Sequence, residues 1–386
     1  MHRYANMDFK NHNREAARVW DAYHQGKPFR VPMITGISDR YFVLNSSANP
    51  CNISFYEYSN NPALMFDMQC AFAEYARFNI IGDHEMGPPE DGWVVNVDFQ
   101  NYYEAAWYGS KVIFPDGEVP YAVPLLNEDN KHMLFEKGLP DSFGGFMAKA
   151  KKYYDYFQDQ IKMRTILGRK VTTVEAPFTG SDGMFTVACE LRGAENICVD
   201  MYEDTDYYHQ LMDYLTESTA HRIKAWRKYL GLPQISEEFG FADDSIALLS
   251  EDTYRTFVLP YHKKLAGLIS TMEKRGGTHL CGDATRHFKT IRDELNVYCF
   301  DTGFPVRHGE LCEQLGPEVI IQGGPNVMLI QNGTIREIHD ESKRILDETK
   351  VVSKKFIFRD GNDIPPYTPL EKVEALYEAC KKYGQY

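Results

Sequence analysis

Short apolar runs alternate with helical segments along most of this sequence, and this alternation limits the folds open to the chain more than any other feature. Eight runs read as strands, over residues 31–35, 79–82, 171–175, 235–241, 278–281, 297–300, 319–322 and 356–359. Amphipathic stretches separate most of them, including 147–162, 184–191, 204–229, 251–274 and 335–348, with 370–382 after the last run. Strands joined by helices pair in parallel, because a parallel connection must cross over the sheet. Eight such units predict closure into a single (β/α)8 TIM barrel of the α/β class, and a length of 386 residues suits one elaborated barrel.

Punctuation along the chain supports this division. Residues 1–30 read as a helical lead-in that breaks at Gly26, Lys27 and Pro28. Asn61 before Pro62 is a helix start, and Gly231 with Pro233 is a helix stop. Residues 86–165 begin irregularly, with Pro88, Pro89, Gly92 and an aromatic patch from Tyr102 to Tyr108, and read as an insertion or lid followed by helix. No interdomain linker or internal repeat is visible, so residues 1–386 read as one domain.

Polar residues gather where the strands end. Asp83, His84, Glu85, Glu175, Asp243, Asp244, His279, Cys281, Asp301, Arg359 and Asn362 all fall at or just beyond the carboxyl ends of the eight runs. Barrel active sites are built on that face. His279 and Cys281 are two residues apart, so on a strand they point to the same side, and imidazole with thiolate is a ligand pair that suits zinc. A buried histidine beside a free cysteine is the structural alternative.

Charge narrows the partners. A formal net charge of −13 lacks the basic footprint that nucleic acid or an anionic membrane would require. No apolar run of about 18 residues and no cationic leader is present, which predicts a cytoplasmic protein. The eight cysteines are scattered without short paired spacings, as expected of reduced thiols. With 25 Tyr, 23 Phe and 4 Trp, the chain can line an apolar pocket for a ring-containing or methylated ligand, and its surface aromatics suit a homodimer.

The stretches RVP at 30–32, FADDSIALLSEDTYRTFVLPYHKKL at 241–265, HLCGD at 279–283, IQGGPNVMLIQNGTIREI at 321–338 and FIFRDGNDIPPYTPLEKVEAL at 356–376 resemble the uroporphyrinogen decarboxylase superfamily. The resemblance runs over nearly all of residues 14–383. It implies a single α/β barrel with its pocket at the strand carboxyl ends. The superfamily contains both tetrapyrrole decarboxylases and zinc-dependent cobalamin methyltransferases. The arginine-rich segment that the decarboxylases carry after the first strand is missing, since MITGISDRYF offers only Arg40 there. The methyltransferase pattern is present in part: His279 and Cys281 look like its first two zinc ligands, but Gly361-Asn362 stands where that branch has Gly-Cys. Glu85, His84, Asp243 and Asp244 are the candidates to complete the set.

The resemblance therefore implies a methyltransferase that moves a methyl group between a small methylated substrate and a corrinoid protein or thiol. Zinc would act as Lewis acid, and the corrinoid would ride on a partner protein, since no segment of this chain reads as its binding site. Asp243 and Asp301 are the candidate acid and base, and His84, Glu85, Glu175, Asp244, Arg359 and Asn362 the candidate substrate contacts. A metal-independent decarboxylase or lyase is the alternative, with Arg30, Arg40, Arg286 and Arg359 as its available cations. A non-catalytic ligand-binding barrel is the third reading. Buried ionisable groups without a use are costly, which weighs against it.

Overall fold

A computed structural model describes residues 2–386 and shows an α/β chain that divides into two compact units. One unit comprises the chain up to Asn96, then Tyr156–Glu175 and Cys299–Tyr386; the other comprises Val97–Asp155 and Ala176–Tyr298. Among the described residues, the strands of neither unit close into a ring within that unit. No helix among them is long and apolar enough to cross a membrane.

In the first unit, parallel pairing joins Cys299 to Ile320 and Asp301 to Gln322, and then Ile321 to Phe356 and Gly323 to Phe358. Phe356–Phe358 is buried along its length, which is why a continuous apolar run marks it in the sequence. The 31–35 run is reduced to a single parallel bridge between Met33 and Phe358. Pro32 has no N–H to give to a ladder and only accepts, from Phe358 N–H at 2.9 Å. The 79–82 run is not a strand either. The helix Pro62–Asn79 continues to its first residue, and extended backbone follows, tied by Asp83 N–H to Met33 O at 3.0 Å.

The stretch read as irregular from residue 86 holds a strand, Trp93–Asn96, paired in parallel with Arg169–Glu175. Four residues preceded by Pro88, Pro89 and Gly92 carry too little periodicity to be seen in the sequence. Elsewhere the helix signals hold. Asn61 Oδ1 caps Ala63 and Leu64, and Thr334 with Glu337 forms a capping box ahead of Ile335–Lys350.

The second unit is organised on the long helix Thr205–Tyr229. Its buried stripe runs through Tyr208, Leu211, Leu215, Arg222 and Trp226, at the spacing expected of one helix face. Trp226 packs against Phe178 at 4.6 Å between ring centres, and burying each such side chain contributes about 1.5–3 kcal/mol. The 235–241 run is broken into Ser236–Glu238 and Phe241–Ala242. The first pairs in parallel with Ser270–Lys274, and the second with Gly276–Leu280.

The segment expected as one helix over 251–274 is also divided. A turn at Glu251–Thr253 passes into a π-helical turn at Tyr254–Val258, then an α-helix at Leu259–Ile269, and residues 270–274 are strand. Pro260 sits at the junction of the π-helical and α-helical parts, just after the wide turn that Leu259 N–H closes onto Tyr254 O.

Candidate active site

The strand Gly276–Leu280 presents alternating burial: Gly276, Thr278 and Leu280 are buried, while Gly277 and His279 are half-buried. Its close approach to the segment at Phe239 needs glycine, since a Cβ on Gly276 would lie 1.7 Å from Phe239 O. Thr278 Oγ1 donates to Phe241 O at 2.8 Å, fixing which face looks inward. His279 therefore takes the open face and Cys281 follows it there. His279 Nε2 and Cys281 Sγ lie 2.9 Å apart.

Asp244 joins them. It opens the short 3-10 turn Asp244–Leu248, and its Oδ1 accepts from Cys281 N–H at 2.7 Å. One ligand atom from each of Asp244, His279 and Cys281 falls within 4.8 Å of the others, and all three residues are half-buried. Among the described residues, this is the one such group of three His, Cys, Asp or Glu side chains. A tetrahedral zinc ion with bonds of about 2.0–2.3 Å holds its donors roughly 3.3–3.8 Å apart, and catalytic zinc takes three protein ligands with a fourth position left open. The nitrogen, sulfur and oxygen donors suit zinc by type, and closing on the ion asks for small side-chain shifts, since His279 Nε2 and Cys281 Sγ lie 2.9 Å apart.

The turn that carries Asp244 is anchored on several sides. Arg286 donates to Leu249 O at 2.7 Å, to Ala247 O, and to Asp283 O at 2.8 Å. The His287 ring nitrogen Nε2 lies 2.9 Å from Ile246 O, and burial pushes that imidazole down to about 4, so it is neutral at pH 7.

Asp243 points elsewhere and is fully buried. Its Oδ1 accepts from Thr186 N–H at 2.8 Å and Thr186 Oγ1 at 2.7 Å, while Oδ2 accepts from Phe185 N–H at 3.1 Å and lies 2.8 Å from His262 Nε2. His262 Nδ1 in turn lies 3.1 Å from Tyr254 OH. This network caps the helix Met184–Arg192 from outside, because its own N-cap is Gly183, which has no side chain to offer. Gly183 has φ +92, and a Cβ there would lie 2.4 Å from Asp243 Cβ. Neither Thr186 nor His262 was legible as a site residue, since no spacing rule links either to residue 243.

The loop before that helix rests on a buried ion pair. Arg222 binds Glu104, with both side chains fully buried, and donates to Phe178 O at 2.7 Å and Gly180 O at 3.0 Å. Glu104 also accepts from Asp182 N–H at 2.6 Å. Glu190 lies in the same electrostatic neighbourhood, where burial, with Asp182 and Glu104 adding to it, pushes its carboxyl up to about 9. The aromatic patch from Tyr102 to Tyr108 is packing rather than an open lining. Tyr102, Tyr103, Trp107 and Tyr108 are buried, and Tyr103 meets Phe178 edge-on at 5.4 Å.

The remaining sequence candidates belong to the other unit. Asp83 is buried and binds Arg30 through two 2.6 Å hydrogen bonds, with Met33 N–H and Tyr377 OH as further donors. His84 is pushed down to about 4, first by burial, and is neutral at pH 7. Glu85 is exposed and pairs with Arg77 at 3.3 Å. Glu175 is exposed at the end of its strand. Asp301 Oδ2 accepts from Arg359 at 2.5 Å, and Asn362 Oδ1 accepts from the next residue's N–H at 2.9 Å.

Asp360, unremarked in the sequence, lies fully buried beside Arg359. Its Oδ1 accepts from Gly36 N–H at 2.7 Å. Burial pushes the carboxyl up to about 7 against the opposing pull of Arg359, from a reference of 3.8. Between those two values the folded state binds the extra proton, so this group's contribution to stability falls as pH rises from about 4 to 7. Asp360→Asn is accordingly expected to gain stability relative to the parent across that window and to hold a constant advantage above it. Urea midpoints at several pH values check this, and a difference independent of pH would contradict it.

The family model described as uroporphyrinogen decarboxylase (URO-D) matches residues 15–383. The chain belongs to this family. Within the family, it is 31% identical over 205 residues to a methylated-thiol–coenzyme M methyltransferase of Methanosarcina mazei, covering 51% of each chain. It is 24% identical over 187 residues to a uroporphyrinogen decarboxylase of Prochlorococcus marinus, covering 47% of this chain and 50% of that one. The chain thus spans about half the length of the curated relatives it matches. A solved methyltransferase from Methanosarcina mazei shares the fold, with a TM-score of 0.62 at 18% identity over 94% of this chain and 97% of that one. The relatives are enzymes, and they fall on both the methyltransferase and the decarboxylase side.

Proposed function

We propose that this chain is a zinc-dependent methyltransferase that moves a methyl group between a small methylated compound and a corrinoid protein or a thiol, on a barrel of the family type. The observation that carries the reading is the triangle of Asp244, His279 and Cys281. Asp244 takes the place of the missing third cysteine, so Asn362 need not be a ligand. When bound there, zinc supplies Lewis acidity that lowers the pKa of a thiol or hydroxyl group of the substrate. The chain's own residues do the rest. Cys281 N–H orients the Asp244 carboxylate, and Arg286 and His287 hold its turn.

The lyase alternative needs free cations for a substrate carboxylate, and the arginines open to it are largely engaged. Arg30 is locked to Asp83, Arg359 to Asp301, and Arg286 to three backbone carbonyls. His84 is neutral at pH 7 and adds no charge.

Free methylcobalamin serves as a stand-in for a corrinoid partner in the test. With zinc and a small thiol, the protein is expected to demethylate it: the cobalt–carbon bond breaks with its electron pair left on cobalt as cob(I)alamin, a sulfur–carbon bond forms, and the thiol proton is released. The absorbance change should vanish on chelation and return with zinc. Turnover that persists in chelator, or metal-independent release of carbon dioxide from a carboxylic acid, would contradict the proposal.

A further inference from the structure

Thr186 is not one of the three candidate ligands, yet its hydroxyl joins the residues on either side of Asp244. It donates to Asp243 Oδ1 at 2.7 Å and accepts from Ser245 N–H at 2.9 Å. The Thr186 backbone N–H adds a second bond to the same Asp243 oxygen, at 2.8 Å. Asp244 is therefore the middle residue of a three-residue span whose ends are tied to one side chain. Its own Oδ1 is held by Cys281 N–H.

The geometry points to Thr186 as a positioning residue for Asp244, an inference that rests on the metal reading above. Carboxylate is a weaker member of this donor set than thiolate or imidazole for zinc, so its contribution depends on being held in place. The side-chain torsions of Asp244 orient its oxygens only if the backbone that carries them is fixed. The hydroxyl supplies that fixation in both directions at once, as donor and as acceptor. Valine has nearly the same shape and can do neither. His262 braces the opposite oxygen of Asp243, with Tyr254 beyond it, so the support reaches back to the π-helical turn. That turn shifts the helix register between Tyr254 and His262, and such insertions recur at functional sites.

The test is a cobalt(II) titration of the full chain, read by visible absorbance and by competition with zinc, for the parent and for Thr186→Val, Thr186→Ser and Thr186→Ala. Thr186→Val is expected to bind metal about 10–100-fold more weakly, the range seen when outer partners of metal ligands are removed. Its cobalt ligand-field bands should shift as the carboxylate is lost, while the thiolate-to-metal band from Cys281 persists. Thr186→Ser keeps the hydroxyl and should restore both affinity and bands. Thr186→Ala removes the hydroxyl without placing a methyl against Asp243, which keeps the test open should the valine variant not fold. Parent-like affinity and spectra in the variants without the hydroxyl would overturn this inference alone. A serine variant as weak as those would do the same. A parent that binds no cobalt would overturn the metal reading together with it.

Discussion

Arg222→Met is expected to destabilise the protein by about 3–5 kcal/mol, the cost of breaking a buried ion pair from one side. The guanidinium is fully buried, binds Glu104, and supplies donors to the carbonyls of Phe178 and Gly180. It also lies over the rings of Tyr103 and Trp107 at 5.5 and 5.6 Å. Methionine fills much of the volume but leaves the Glu104 carboxylate buried without its counter-charge. Two carbonyls lose donors at the same time. Glu104→Gln combined with Arg222→Met should recover part of the loss, because the stranded charge is then gone. Urea unfolding of the two variants and the parent checks the order. A double variant less stable than Arg222→Met would contradict the account. The loop from Phe178 to Asp182 leads directly into Gly183 and the helix bonded to Asp243, so the Arg222 variant should also bind metal more weakly.

Asp244→Ala is expected to lower zinc affinity by at least about 100-fold, since even the outer partners of metal ligands are worth about 10–100-fold. The carboxylate is the only oxygen donor in the triangle, and two protein ligands do not make a tight zinc site. Its loss also removes the carboxylate that accepts from Cys281 N–H, which is a smaller effect at a half-buried position. Asp243→Ala should cost stability, by removing a cap shared by Phe185 and Thr186, and should weaken metal binding only indirectly, through the lost tie to the Thr186 hydroxyl. Competition against a chromophoric chelator measures the first effect, and thermal melting measures the second. Asp244→Ala with the parent's zinc affinity would remove it from the ligand set.

What could be read from the sequence follows from how local each signal is. His279 and Cys281 share a face because of the two-residue period of a strand, which is a property of the backbone alone. Helix starts at Asn61 and Thr334 rest on side chains that bond within three residues. Four candidates could have completed the ligand set, and choosing Asp244 over its neighbour Asp243 depends on the turn joining Phe241–Ala242 to the 3-10 segment. The two side chains diverge there, one toward Cys281 and one toward Thr186. No composition or period encodes that divergence. Arg359 was legible only as a candidate substrate contact at a strand end; its bond to Asp301 joins residues far apart in the chain, which no local pattern encodes.

The most direct test of the central claim is the zinc content of the purified protein, prepared without chelator and again after zinc is added back. About one equivalent is expected in the parent and essentially none when His279→Ala and Cys281→Ala are combined, as for a three-ligand site reduced to one. A parent that stays metal-free after zinc is restored would contradict it.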